Sequence, residues 1–173
     1  MNKIIIYGSQ YGTTKAYAEK LSEMTGIPVM SYEKVKNLSE YDEVIHFGGL
    51  YAGGIKGLKT TLKYLNGSAN FVIVTVGLAD VTVTENTDSI KKSIAQQVSE
   101  EVLNRTKCFH LRGGIDYGKL NFLHKTMMAL LYKMITKNPP EQRPLEMEAL
   151  IETYNKQVSF VDFDSLKPII EEC

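Results

Sequence analysis

The sequence predicts a doubly wound α/β fold, in which helices cover both faces of a five-stranded parallel sheet. Three short apolar runs are followed directly by glycine, at Gly8, Gly48 and Gly77. These runs are apolar at successive positions rather than alternately, which is typical of strands buried on both faces of a parallel sheet. Segments of helical length separate them. Strands that alternate with helices in this way build a doubly wound sheet.

Each strand and helix follows from a local pattern. The strands are short runs rich in isoleucine, valine and phenylalanine. The first helix has Ala18 and Leu21 at helical spacing and stops at Gly26, and the helix after the third strand carries a face of lysines. In chain order the predicted elements are strand Lys3–Tyr7, helix Thr14–Met24, strand Ile27–Met30, strand Glu43–Phe47, helix Ile55–Leu65, strand Phe71–Val76, a helix from about Asp88 to Leu103, strand Cys108–Leu111 and helix Ser165–Glu172.

Composition narrows the function classes before any motif is considered. The chain has 173 residues and is 43% hydrophobic, which predicts one domain spanning residues 1–173. The 20 basic residues balance the 20 acidic ones, so no global field favours nucleic acid as a partner. Cys108 and Cys173 have no metal-ligand spacing, and no apolar run resembles a signal peptide or a membrane span. We therefore expect a cytoplasmic protein without a metal site or a disulfide framework.

The loop after the first strand concentrates hydroxyl groups at the start of a helix. In a doubly wound sheet, ligands bind beyond the carboxyl ends of the strands. Here Ser9, Thr13 and Thr14 can converge with the free helix amides on one anion, such as a phosphate monoester. The GxxxxGK[ST] and GxGxxG motifs are absent, so the sequence lacks the usual signals for binding a nucleoside triphosphate or a dinucleotide. The alternative is that a hydroxyl here only caps the helix.

The pattern S-x-x-G-x-T at Ser9–Thr14, directly after a first strand, resembles the FMN phosphate loop of the flavodoxin family. The resemblance implies an FMN cofactor whose phosphate is held by Ser9, Gln10, Tyr11, Gly12, Thr13 and Thr14. It also implies that the loops after strands three and four enclose the isoalloxazine ring. Their residues are Gly49, Leu50, Tyr51, Ala52 and Gly53 in the first ring loop, and Thr75, Val76, Gly77 and Leu78 in the second.

Tyr51 is the aromatic residue that the resemblance places against the ring. The alternative is an ordinary loop tyrosine that covers the end of the sheet. Many flavodoxins also carry an aromatic in the second ring loop, but residues 77–87 contain none. We therefore expect one face of the ring to be less covered and open to a substrate.

A long segment, Arg112–Asp162, separates the fifth strand from the last helix and includes a proline-rich turn at 138–144. Its stretches at 113–122, 125–128 and 158–163 resemble the menaquinone-dependent protoporphyrinogen oxidases, a flavodoxin-like branch with an inserted segment. This resemblance implies an FMN-dependent oxidoreductase that passes electrons from a reduced small-molecule substrate to a quinone. The alternative is a flavodoxin-type electron carrier that docks on redox proteins and has no substrate chemistry of its own.

Residues 119–137 are predicted to form a basic amphipathic helix that contains no acidic residue. Its apolar face comprises Leu120, Leu123, Met127, Leu130, Leu131, Met134 and Ile135. Its lysines, on the far side, are Lys119, Lys125, Lys133 and Lys137. Such a helix either lies on an anionic membrane surface, giving peripheral contact with the inner face of the cell membrane, or packs on the domain with solvated lysines.

Overall fold

Five parallel strands form the central sheet, in the order β2–β1–β3–β5–β6. The computed structural model describes residues 1–51, 53–144 and 147–172. The strands are β1 (Lys3–Gly8), β2 (Val29–Ser31), β3 (Glu43–Tyr51), β5 (Asn70–Gly77) and β6 (Thr106–Arg112). This order confirms the doubly wound class predicted from the sequence. The chain order reverses next to β1, so the carboxyl ends of β1 and β3 form the switch point at which ligands bind in such sheets.

Helices cover both faces of the sheet. Successive residues of a strand point to opposite faces, so each inner strand contributes to two apolar cores. Ile4 and Ile6 of β1 belong to one apolar core, and Ile5 belongs to the other. The first core includes helix residues such as Leu58 and Ile94, and the second includes Leu21. The helices are α1 (Thr13–Thr25), α2 (Leu58–Tyr64), α3 (Thr84–Ala95), α4 (Glu100–Leu103), α5 (Phe122–Thr136), α6 (Glu148–Thr153) and α7 (Lys167–Glu172), the last preceded by a 3-10 turn at Phe163–Leu166.

The single helix predicted from about Asp88 to Leu103 is wrong, because the chain breaks between α3 and α4. At the break the Gln97 side chain accepts a hydrogen bond from the Ile55 amide at 3.3 Å, and it donates one to the Ser93 carbonyl at 2.9 Å. Val98 is buried in the first core, and Ser99 is extended, with ψ at 150°. A tertiary contact and core burial therefore override the continuous helical pattern.

The predicted helix Ile55–Leu65 begins too early. Ile55 lies in a short strand, β4 (Gly54–Ile55), which pairs antiparallel with the end of β3 through Leu50. The helix α2 starts only after Gly57, whose φ of 80° lies in the left-handed region that favours glycine. The hairpin formed by β3 and β4 places the first ring loop at the carboxyl end of β3, which is the ligand-binding end of the sheet.

The inserted segment contains a two-stranded sheet that the sequence did not predict. Its strands are β7 (Gly114–Asp116) and β8 (Gln157–Ser159), which pair antiparallel with Ile115 opposite Val158. The helix α5 that follows β7 is shorter than the predicted range of 119–137. It begins after Asn121, whose side chain accepts a hydrogen bond from the His124 amide at 2.8 Å.

His46 is fully buried between β3 and α2 and holds the turn at Lys56. Its Nε2 lies 3.1 Å from the Lys56 carbonyl, and its Nδ1 lies 2.9 Å from the Thr61 hydroxyl. A carbonyl only accepts, so Nε2 carries the proton and donates, while Nδ1 accepts from Thr61 in the neutral imidazole. Burial lowers the pKa of His46 to about 4, although the Lys56 carbonyl favours the charged form.

Candidate functional site

The carboxyl ends of β1, β3 and β5 open into a cavity of about 550 Å³, within the size range of small-molecule sites. All three loops predicted from the sequence reach it, together with the inserted segment. The predicted site residues that line it are Ser9, Gln10, Tyr11, Thr13, Thr14, Gly49, Leu50, Tyr51, Val76, Gly77 and Leu78. The switch point of the sheet and the cavity therefore coincide.

Three predicted site residues do not line the cavity. Thr75 is buried within β5, where its hydroxyl lies 2.8 Å from Nδ1 of His110. Gly12 and Gly53 have positive φ, 98° and 78°, and shape the loops at the start of α1 and between β3 and β4. Ala52 lies outside the described residues.

The N-terminus of α1 forms the polar end of the cavity. Gly12 precedes the helix, and no side chain of the described residues caps the first turn. Ser9 instead accepts a hydrogen bond from the Gly12 amide at 3.0 Å, which closes the loop on itself. In the described residues the loop hydroxyls thus make no capping bond to the first turn of α1. The first-turn amides and the positive end of the helix dipole remain available to an anion.

Lys56 brings a positive charge to this end of the cavity, and sequence reasoning missed it. Its side chain lines the cavity, and its ammonium donates a hydrogen bond to the side-chain oxygen of Gln10. The backbone of Lys56 packs against β1, since a Cβ built on Gly8 would lie 2.0 Å from the Lys56 carbonyl oxygen. No local signal connects Lys56 with the first loop, because the contact depends on the pairing of β1 with β3.

Glycines in the ring loops allow the three loops to pack against one another. A Cβ on Gly77 would lie 2.8 Å from Leu50, and a Cβ on Gly49 would lie 3.0 Å from the Thr14 hydroxyl. The space beside these glycines is thus occupied by neighbouring protein atoms. Their small size brings the first ring loop, the second ring loop and α1 together around one cavity.

Three aromatic rings from distant parts of the chain meet beside the cavity. The Tyr11 hydroxyl shares a hydrogen bond with Nδ1 of His124, and the two rings meet edge to face at 5.6 Å. The Tyr51 ring lies 5.0 Å from the same imidazole at an interplanar angle of 58°. Burial, and secondarily Tyr51, raise the pKa of Tyr11. The phosphate loop, the first ring loop and α5 are therefore joined at His124, which the sequence did not single out.

The predicted apolar face of the 119–137 helix divides between the cavity and solvent. Met127, Leu130, Leu131, Met134 and the preceding Leu120 line the cavity, whereas Ile135 is buried. Leu130 and Met134 lie at its margin and are also 60% and 66% exposed, while Leu123 and Phe122 at the helix start are 71% and 86% exposed. Exposed lysines accompany them, namely Lys119, Lys125, Lys133 and Lys137. Among the described residues no helix has the length and apolar character needed to cross a bilayer.

Solved structures of several flavoproteins are similar to this chain, at low identity. A flavoprotein from Lactobacillus acidophilus in complex with FMN is 12% identical and has a TM-score of 0.46; the likeness covers 64% of this chain and 91% of that one. A flavodoxin variant from Pseudomonas aeruginosa is 16% identical, with a TM-score of 0.39 and coverage of 78% and 96%. A flavodoxin variant from Fusobacterium nucleatum bound to flavin mononucleotide is 16% identical, with a TM-score of 0.39 and coverage of 67% and 78%.

A family model provides the stronger relationship. None of the curated proteins compared with the chain matches it. The model of the flavodoxin domain matches residues 4–142, a range that extends from the second residue of β1 to beyond α5 and includes the phosphate loop and both ring loops. With the parallel sheet order and the cavity at its switch point, this match identifies the chain as a member of the flavodoxin domain family.

Proposed function

We propose that the protein binds FMN in this cavity and acts as an FMN-dependent oxidoreductase. The uncapped N-terminus of α1 carries the proposal, because Thr13 and Thr14 of its first turn line a cavity of about 550 Å³ together with Ser9. These groups suit a phosphate monoester, and Lys56 adds a positive charge beside them. Bound FMN supplies the electron chemistry. The chain itself holds the phosphate, shapes the ring site and limits access of water.

The remaining walls suit a flat aromatic ring. Leu50, Val76 and Leu78 line the cavity beyond the phosphate end, and Tyr51 supplies an aromatic side chain. Backbone amides of the ring loops are available to hydrogen bond the flavin edge, which tunes its reduction potential. The residues present therefore fit FMN at both its charged and its apolar ends.

The inserted segment supports an enzyme more than a simple electron carrier. Met127, Met128 and Leu131 of α5 add apolar wall to the cavity, so a small molecule could bind beside the flavin. We propose a reduced substrate such as a porphyrinogen and a quinone-type acceptor. The net reaction would remove hydrogen atoms from the substrate and add them to the quinone, giving a quinol. A flavodoxin-type electron carrier is the alternative, and the exposed lysines of α5 would then face a redox protein.

The proposed function is tested in two steps with the purified protein. Titration with FMN is expected to reach one equivalent per chain. The reconstituted protein is then supplied with protoporphyrinogen, with and without a menaquinone analogue, and porphyrin fluorescence is followed. Product formation that requires the quinone supports the enzyme. If the porphyrinogen is not oxidised with or without the quinone, but electrons pass rapidly to a redox protein, the electron carrier is favoured. Failure to bind FMN would contradict both the enzyme and the carrier.

We also propose that α5 makes peripheral contact with an anionic membrane. Its exposed surface combines Phe122, Leu123, Leu130 and Met134 with the lysines at 125, 133 and 137. Apolar side chains flanked by lysines, without an acidic residue on the helix, suit the boundary between lipid head groups and acyl chains. Each lysine near an anionic surface contributes about 1 kcal/mol.

Replacing Lys125 and Lys133 with glutamine is therefore expected to weaken binding to anionic vesicles about thirtyfold at low salt. Vesicles of phosphatidylglycerol and phosphatidylcholine in a cosedimentation assay would measure this. The matched control is the double variant Lys34→Gln with Lys36→Gln, which removes the same two positive charges. These lysines follow β2, and β2 and β6 are the two opposite edges of the sheet. Equal binding by the parent and both double variants would rule out α5 as the membrane surface.

A further inference from the structure

The helix α5 is attached to the rest of the described structure differently at its two ends. Near its C-terminal end Ile135 is buried, and Tyr132 stacks on Tyr154 with the rings 3.9 Å apart and nearly parallel, at 11°. At its N-terminal end Phe122 and Leu123 are exposed, and His124 contacts Tyr11 and Tyr51. The imidazole of His124 therefore joins the N-terminal half of α5 to both cavity loops.

The position of His124 within α5 is itself well defined. Asn121 caps the helix by accepting a hydrogen bond from the His124 amide at 2.8 Å, which orients the first turn. His124, Met127, Met128 and Leu131 follow one another at helical spacing and all line the cavity. When the imidazole meets the Tyr11 hydroxyl, the same contact therefore turns the two methionines and the leucine toward the cavity.

The second ring loop and this helix line the same cavity. Residues 77–87 contain no aromatic side chain that could cover a face of a flavin. Methionine and leucine side chains both pack against flat aromatic surfaces, and the methionine thioether is also flexible and polarisable. A helix that carries three of them supplies the missing wall, provided that its N-terminal half stays closed.

We propose that His124 is a positioning residue that clamps the N-terminal half of α5 onto Tyr11 and Tyr51, so that α5 forms a wall of the flavin site. This inference rests on the proposed FMN binding. It makes α5 a gate with its hinge near Tyr132 and its clamp at His124. FMN leaves, and a substrate enters, when the clamp opens, and the phosphate loop takes part because Tyr11 belongs to it.

The release rate of FMN tests the clamp. Loss of one hydrogen bond of ordinary strength in His124→Leu is expected to speed FMN release about threefold to tenfold. Tyr11→Phe, which keeps the ring and removes only the hydroxyl, is expected to do the same. The two changes combined should be no faster than either alone, because they remove one shared interaction. His124→Asn, whose amide can replace Nδ1, is expected to restore slow release.

Hydrogen exchange of the protein without FMN separates the clamp from cofactor binding. In His124→Leu the amides of residues 125–130 are expected to exchange about threefold to tenfold faster, with those of β1 and β3 unchanged. The control is Leu123→Ala, which alters an exposed side chain of the same turn. Unchanged exchange in α5 would overturn the clamp, whether or not FMN binds. Altered exchange without FMN binding would leave the clamp standing and contradict the proposed function.

Discussion

Replacing both Ser9 and Thr14 with alanine is expected to weaken FMN binding at least about a hundredfold and to leave riboflavin binding nearly unchanged. Both residues line the cavity beside the free amides of α1. A hydrogen bond to a charged group is worth about 1.5–3 kcal/mol, so two hydroxyls account for roughly 3–6 kcal/mol. Riboflavin has no phosphate, so it cannot lose these bonds. Fluorescence titration with each flavin measures both affinities.

Riboflavin is the necessary reference ligand because Ser9 also accepts a hydrogen bond from the Gly12 amide, which shapes the loop. Equal weakening of FMN and riboflavin would show that the two hydroxyls act through loop structure rather than through a phosphate. Thr25→Ala is the matched control, since it removes a hydroxyl from the opposite end of α1. It should leave both affinities as they are in the parent.

Lowering the pH from 6.5 to about 4 is expected to destabilise the protein by roughly 3 kcal/mol through His46 alone. The unfolded imidazole takes up a proton below its ordinary pKa of 6.5, whereas the buried one resists until about 4. Above 6.5 both states are neutral, and the full stability is present. Between the two values the unfolded state binds more protons, so stability falls as the pH falls, and the loss is complete below the folded pKa.

Denaturant unfolding of the parent and of His46→Gln across this pH range isolates the effect. The glutamine amide can still donate to the Lys56 carbonyl but does not titrate. The free energy difference between the two proteins should therefore change by roughly 3 kcal/mol. His110, whose pKa is also lowered by burial, is present in both proteins and cancels. A difference independent of pH would contradict the assignment.

The sequence by itself determined the sheet and the polar end of the site. The inner strands β1, β3 and β5 contain largely apolar runs, and burial on both faces of a parallel sheet requires that pattern. The phosphate loop is equally local, since Ser9 to Thr14 are consecutive and lead directly into α1. Features whose causes lie within a few neighbouring residues can be predicted from those residues.

Tertiary structure decided the elements that depend on distant partners. β7 and β8 have three residues each and pair across most of the inserted segment, so neither has a recognisable strand pattern of its own. The break between α3 and α4 depends on Gln97 reaching Ile55, and the start of α2 depends on Ile55 pairing with Leu50. Long-range hydrogen bonds outweighed local helical propensity at both places.

The same distinction applies to the walls of the cavity. Helical spacing identified an apolar face on the 119–137 segment, but spacing does not specify which part of a face meets the domain. Only the folded chain brings His124 to Tyr11 and Tyr51, and Lys56 to Gln10. These contacts join segments far apart in sequence. They form because the parallel sheet aligns the carboxyl ends of its strands at one edge, a property of the whole fold and not of any local pattern.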